Sequence, residues 1–247
     1  MTDSAPPAAI VSCTDLRRVY GEGEAAVHAL RGVTLRFPAG QYTAIMGPSG
    51  SGKSTLMHLL AGLDTATGGS VTVDGREIGG LGDKALTQLR RDRLGFVFQA
   101  FNLVPVLTAE ENILLPLTLA GRRPDRDWVD RLIDSVGLGD RLTHHPAELS
   151  GGQQQRVAVA RALVHRPAVV FADEPTGNLD THASEEVLGL LRRAVDELGQ
   201  TVVMVTHDAQ AASVAGRIVV LQDGRVVHDG GGESTEGVLD LMKAVAA

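Results

Sequence analysis

"YTAIMGPSGSGKSTLMHLLAG", residues 42–62, runs from an apolar strand through a glycine-rich loop into an amphipathic helix. Its centre, Gly47, Pro48, Ser49, Gly50, Ser51, Gly52, Lys53 and Ser54, satisfies G-x-x-x-x-G-K-[ST], with Thr55 following. Each part has a physical use. The glycines let backbone N–H groups face a β-phosphate, Lys53 brings a point charge to the β/γ oxygens, and Ser54 offers its hydroxyl to Mg²⁺. Gly62 stops the helix. Strand, loop and helix in this order predict a nucleoside triphosphate site in an α/β domain.

Outward from this loop, short apolar runs alternate with helical patterns, which predicts a mostly parallel sheet. Residues 42–46, 95–98, 168–172 and 201–205 are the expected buried strands. Two Asp-Gly pairs, Asp74-Gly75 and Asp223-Gly224, lie between strand-like flanks and predict tight hairpins, so an antiparallel β element accompanies the parallel core. The stretch of about 100–165 is helical and reads as a subdomain inserted between core strands. Thr108 with Glu111 has the capping-box pattern; Trp128, Val129, Leu132, Ile133 and Val136 recur at helical spacing before Gly137. A later helix is expected to bury Val187, Leu188, Leu191, Val195 and Leu198 and to end at Gly199. Residues 1–10 are expected to form a flexible tail, and 11–247 one domain whose core spans about 11–99 and 166–247.

Composition narrows the function. A chain of 247 residues buries roughly 70–75% of its unfolded surface, enough for a core without staples. One cysteine, Cys13, excludes an internal disulfide, and no Cys/His set has zinc spacing. A net charge of -7 and eight aromatics (one Trp, two Tyr, five Phe) argue against a nucleic-acid surface. "RRDR" at 90–93 therefore reads as a solvated face, and His58, His144 and His145 as ordinary surface or packing residues. The N-terminus lacks the pattern of a secretory signal, and no apolar run approaches 18 residues.

Further motifs supply chemistry for the loop. "VVFADEP", residues 169–175, ends an apolar strand in Asp173, placing a carboxylate at the sheet edge where α/β folds bind ligands. Asp173 would orient Mg²⁺, and Glu174 would polarise the attacking water as general base. His207 follows the next core strand and would hydrogen-bond the γ-phosphate and the base. Gln99, ending "FVFQ", brings an amide oxygen for Mg²⁺ or the water. In "LSGGQQQR", residues 149–156, Ser150 would cap a helix whose first turn is an anion site, with Gly151 and Gly152 admitting a phosphate to the backbone. That helix, with Val157, Ala160 and Val164 inward, is expected to continue to Pro167. A second phosphate grip on the inserted lobe has no reason to fold onto the chain's own loop, so it would serve another subunit's nucleotide.

Together these motifs resemble the ATP-binding subunits of ABC transporters, over about residues 11–230. The resemblance implies a RecA-like P-loop NTPase core in which residues 47–55 are Walker A, Gln99 the Q-loop, and residues 149–153, including Gln153, the signature. Residues 169–173 become Walker B with catalytic Glu174, residues 177–180, ending in Asp180, the D-loop, and His207 the switch histidine. Two such subunits would pack head-to-tail, each ATP lying between one Walker A and the other's signature. Tyr20 would stack on adenine, and residues 101–105 would dock a helix of an integral membrane permease at the cytoplasmic face. "YGEGEAAVHAL" and "DEPTGNLD" look like the macrolide-export, lipoprotein-release and cell-division branch. The expected function is an ATPase driving a membrane complex; ATP-driven transmembrane signalling to a cell-wall hydrolase is the alternative. A DNA- or ribosome-acting ABC ATPase would carry long coiled coils, a second cassette or zinc cysteines, none of which occurs here.

Overall fold

The computed structural model describes residues 9–246. Two sheets share the core. The first is antiparallel: β1 (Ala9–Tyr20), β2 (Val27–Pro38), β4 (Gly68–Val73) and β5 (Arg76–Glu77), in the order β2-β1-β4-β5. The second contains β3 (Tyr42–Met46), β6 (Leu94–Phe98), β7 (Val169–Asp173), β8 (Val202–Val205), β9 (Arg217–Gln222) and β10 (Arg225–Gly231), in the order β10-β9-β3-β8-β7-β6. All its pairs are parallel except β9 with β10. Residues 1–8 of the expected tail lie outside the described residues, and its last two, Ala9 and Ile10, instead open β1.

The central strands are apolar on both sides because both sides are covered. Tyr42, Ala44, Met46, Val202 and Met204 face the helices α3 (Ala109–Leu119), α4 (Arg126–Val136), α5 (Gly151–Leu163) and α6 (Thr181–Leu198). Ile45, Phe171, Val203 and Val205 face α1 (Lys53–Leu60) and the antiparallel sheet. Three shorter or peripheral helices, α2 (Asp83–Arg93), α7 (Ala209–Ser213) and α8 (Thr235–Ala246), complete the fold. The hydroxyl of buried Tyr42 is pushed far above its ordinary pKa by burial, so it stays neutral.

Both Asp-Gly pairs make the expected turns. Asp74 and Gly75 have φ 50° and 74°, and Asp223 and Gly224 have φ 49° and 74°, the double left-handed step that matches strand twist. The first joins β4 to β5 in the antiparallel sheet, whereas the second adds an antiparallel edge to the parallel one.

β1 and β2 escape a periodicity reading because both are bulged. Asp15 (φ 46°) and Gly32 (φ 94°) break the alternation opposite one another, and a Cβ on Gly32 would stand 2.7 Å from Asp15 Oδ1. Two helix expectations also need correction. α5 ends at Leu163, short of Pro167, because Arg166 turns left-handed at φ 54°. Leu198 is 48% exposed, since it lies in the last turn of α6, beyond the neighbours that cover Val187, Leu188, Leu191 and Val195.

Candidate nucleotide site

The glycine-rich loop departs from β3 and enters α1 through three left-handed glycines, Gly47 (φ 145°), Gly50 (φ 79°) and Gly52 (φ 102°). Gly52 occupies the N-cap without a side-chain partner, so the first N–H groups of α1 are free to face an anion. The ammonium of Lys53 folds back over the loop, donating to Gly47 O at 2.8 Å and Pro48 O at 3.0 Å. Burial depresses its pKa, against the pull of Glu174 and then Asp173. Behind the loop a Cβ on Gly52 would stand 2.5 Å from Ala29 O, and Gly224 N–H donates to Ser51 O at 3.1 Å. The Asp223-Gly224 hairpin is thus a brace for the phosphate loop, a role its sequence position does not suggest. Ser51 Oγ is buried without a hydrogen-bond partner, a polar atom suited to an anion in the cradle.

Strand order assembles the rest. Along the C-terminal edge of β3, β8, β7 and β6 stand, in turn, the phosphate loop, His207, Asp173 with Glu174, and Gln99. At about 4.8 Å per strand the set spans roughly 14 Å, the scale of a triphosphate and its surroundings. Glu174 adopts a left-handed φ of 45°, and its N–H is held by Val205 O at 2.9 Å. Its carboxylate accepts from Thr206 Oγ1 at 3.1 Å and lies 2.7 Å from His207 Nδ1. Asp173 has its pKa raised, chiefly by burial and further by Glu174, against the opposing pull of His58 and Lys53. An open pocket of about 600 Å³ is lined by Glu174, His207, Gly177 and Leu179.

Ser150 does cap α5, accepting from Gln153 N at 3.3 Å while Gln153 Oε1 accepts from Ser150 N at 2.9 Å. The side chain of Gln153 is therefore engaged in the cap. Gly152 has an internal reason to lack a side chain: a Cβ there would stand 2.8 Å from Cβ of Ala183 on α6. Gly151 looks onto Leu179 and Phe101, so neither signature glycine abuts the chain's own phosphate loop. Asp180 caps α6, with Oδ1 accepting from Ala183 N at 2.8 Å. Tyr20 is 39% exposed; its hydroxyl donates to Asp64 at 2.8 Å, and Arg18 covers one ring face at 4.4 Å, leaving the other face for a flat ligand.

Three residues to which the motifs assign no individual role tie these parts together. Buried Gln155 donates to Phe98 O and to Pro175 O, joining the signature helix to the ends of β6 and β7. Arg161 donates to Asn102 O at 2.6 Å and Phe101 O at 2.8 Å, holding two left-handed residues. Asn178 pairs with Gln99. The "QQQR" context held the only signal for Gln155, a polar residue at an inward helical position. Buried Asn112 likewise fastens residues 104–108, so Leu103 and Val104 are half-buried and Val106, at 79%, is the exposed apolar residue there.

Residues 30–177, more than half the chain, match the family model described as "ABC transporter". The chain belongs to that family. As an ATP-binding cassette it is 47% identical over 92% of its length to the macrolide export ATP-binding/permease protein MacB of Marinobacter nauticus, of which it covers 35%. It is 49% identical over 89% of its length to the lipoprotein-releasing system ATP-binding protein LolD of Geobacter metallireducens, covering 99% of that protein. The chain thus spans about a third of the macrolide-export relative and nearly all of the lipoprotein-release one. A dimeric post-hydrolysis structure of the cassette MJ0796 bound to ADP and Pi superposes with a TM-score of 0.81 at 41% identity, over 91% of this chain and 99% of that one.

The cassette's donor set suits Mg²⁺. Ser54, Gln99 and Asp173 offer hard oxygens with one carboxylate, as expected where phosphate oxygens complete the coordination. Among the described residues no helix is long and apolar enough to cross a membrane.

Proposed function

We propose that the chain is the ATP-hydrolysing subunit of a membrane ABC complex of the export or lipoprotein-release type, working as an ATP-sandwiched head-to-tail dimer. The observation that carries this reading is the division of the phosphate grips. Lys53, His207, Glu174 and Gln99 share one sheet edge, while the capped N-terminus of α5 at Ser150 packs beside Leu179, Phe101 and Ala183. A phosphate carried on a partner's loop is the natural complement of that helix end.

In this reading Lys53 and the N–H groups of residues 47–55 hold the phosphates, and the open face of Tyr20 takes the adenine. Ser54, Gln99 and Asp173 would hold Mg²⁺, which would supply positive charge to the triphosphate. Glu174 takes a proton from water, and His207 orients Glu174 and reaches the γ-phosphate. The partner's Walker A site is completed by Ser150, Gly151, Gly152 and Gln153, and Asp180 lies at the dimer seam. Each copy carries net charge -7, so the pair gains nothing from net charge and nucleotide must supply much of the attraction.

An apolar groove lined by Phe96, Phe98, Leu115, Pro116 and Leu119 reaches Asn102, in the same segment as Val106. With Val106 and Leu119 at 79% and 68% exposure, it supports docking of a permease helix and hence a peripheral place at the cytoplasmic face. Light scattering tests the dimer. Glu174→Gln protein should double in mass with ATP and Mg²⁺ and remain monomeric without them; a mass indifferent to ATP would overturn the sandwich.

A further inference from the structure

Gln99 and Asn178 meet through two hydrogen bonds whose directions are not interchangeable. Nδ2 of Asn178 donates to the backbone oxygen of Gln99 at 3.1 Å, and Nε2 of Gln99 donates to Oδ1 of Asn178, also at 3.1 Å. A carbonyl oxygen only accepts, so the first bond requires the NH₂ end of Asn178 to face it. The oxygen of Asn178 is then the end presented to the Gln99 side chain, which must answer with Nε2. Both amides are thereby oriented, and Oε1 of Gln99 is left as the acceptor pointing away from Asn178. Gly177 gives this amide its room: a Cβ there would stand 2.7 Å from Nε2 and 3.0 Å from Cδ of Gln99. Gln99 follows Phe98, which pairs with Asp173 across β6 and β7, so this amide lies beside Asp173 at the sheet edge.

We propose that Asn178 is a positioning residue that sets which end of the Gln99 amide is offered to the nucleotide's metal. The inference rests on the ATPase reading above, in which Gln99 is an oxygen ligand. A free Gln amide is nearly symmetric in shape but opposite in chemistry at its two ends; an NH₂ group turned toward a divalent cation repels it. Asn178, four residues after Glu174, removes that ambiguity. It also links the strand-end amide to the segment that caps α6 through Asp180.

Calorimetry of the whole chain with a non-hydrolysable ATP analogue, with and without Mg²⁺, separates metal from nucleotide. The Mg²⁺-dependent gain in affinity should fall about three- to tenfold in Asn178→Ala, the worth of one net hydrogen bond, while the metal-free affinity holds. Asn178→Leu, which keeps the volume and makes no hydrogen bond, should give the same loss. Gln99→Glu offers oxygen from either end, so adding Asn178→Ala to it should change the gain little, closing a double-mutant cycle. An unchanged gain in both Asn178 variants, or an equal loss in the Gln99→Glu background, would overturn the proposal. A native chain that binds no analogue would instead defeat the ATPase reading itself.

Discussion

Nδ1 of His207 stands 2.7 Å from Oε1 of Glu174, across the gap between the ends of β8 and β7. Thr206 holds the other carboxylate oxygen at 3.1 Å, so Glu174 is gripped from both sides while only 19% of its side chain meets solvent. His207, at 75%, is the exposed member. A carboxylate held in this way has one orientation toward a water, which the proposed role of general base requires.

Removing the base should separate binding from chemistry. Glu174→Gln is expected to cut ATP hydrolysis by about 10²- to 10⁴-fold while nucleotide affinity holds, and His207→Ala by about 10²-fold. Phosphate release together with binding of a fluorescent ATP analogue checks both; a variant that loses affinity in proportion to rate would contradict the assignment.

Asp173 should trade stability for function. Its folded pKa is raised, so as pH climbs through the ordinary carboxylate range the unfolded chain ionises first and native stability falls. Asp173→Asn escapes this titration. Its melting temperature is expected to gain on the native one as pH climbs through the ordinary carboxylate range. The same variant should lose Mg²⁺-dependent hydrolysis by at least about 10²-fold. Equal melting temperatures at every pH would remove the electrostatic account.

Ser150 has two duties that one substitution distinguishes. Asp caps a helix as well as Ser does, yet its charge opposes a phosphate. Ser150→Asp should therefore melt within about 1 °C of the native chain and fail to dimerise with ATP, whereas Ser150→Ala should lose about 1 kcal/mol of stability. Mixed dimers of Lys53→Ala and Ser150→Asp chains should recover one working site. Hybrids without activity, alongside full-rate turnover by isolated monomers, would count against shared sites.

Gly152→Ala tests the internal packing. Its methyl would crowd Ala183 at 2.8 Å, costing about 1–3 kcal/mol in urea denaturation. Adding Ala183→Gly should restore much of that. A Gly152→Ala chain of native stability would leave phosphate access as the sole reason for this glycine.

Much of the site was legible because strand-loop-helix order and motif chemistry are local properties. Residues 42–62, Asp173, Glu174, His207, the Ser150 cap and the two Asp-Gly turns could each be read from a short local stretch, and their resemblance to ABC cassettes follows from that order. β1 and β2 could not, since the bulge at Asp15 and Gly32 destroys the period that marks a strand. Only the tertiary structure decided that β3, β8, β7 and β6 stand side by side. That order brings Gln99 to Asn178, sets Gly224 behind the phosphate loop and turns Gly152 toward Ala183. Such pairings join residues that are far apart in the chain, and they exist because a sheet apolar on both faces must be covered from both sides.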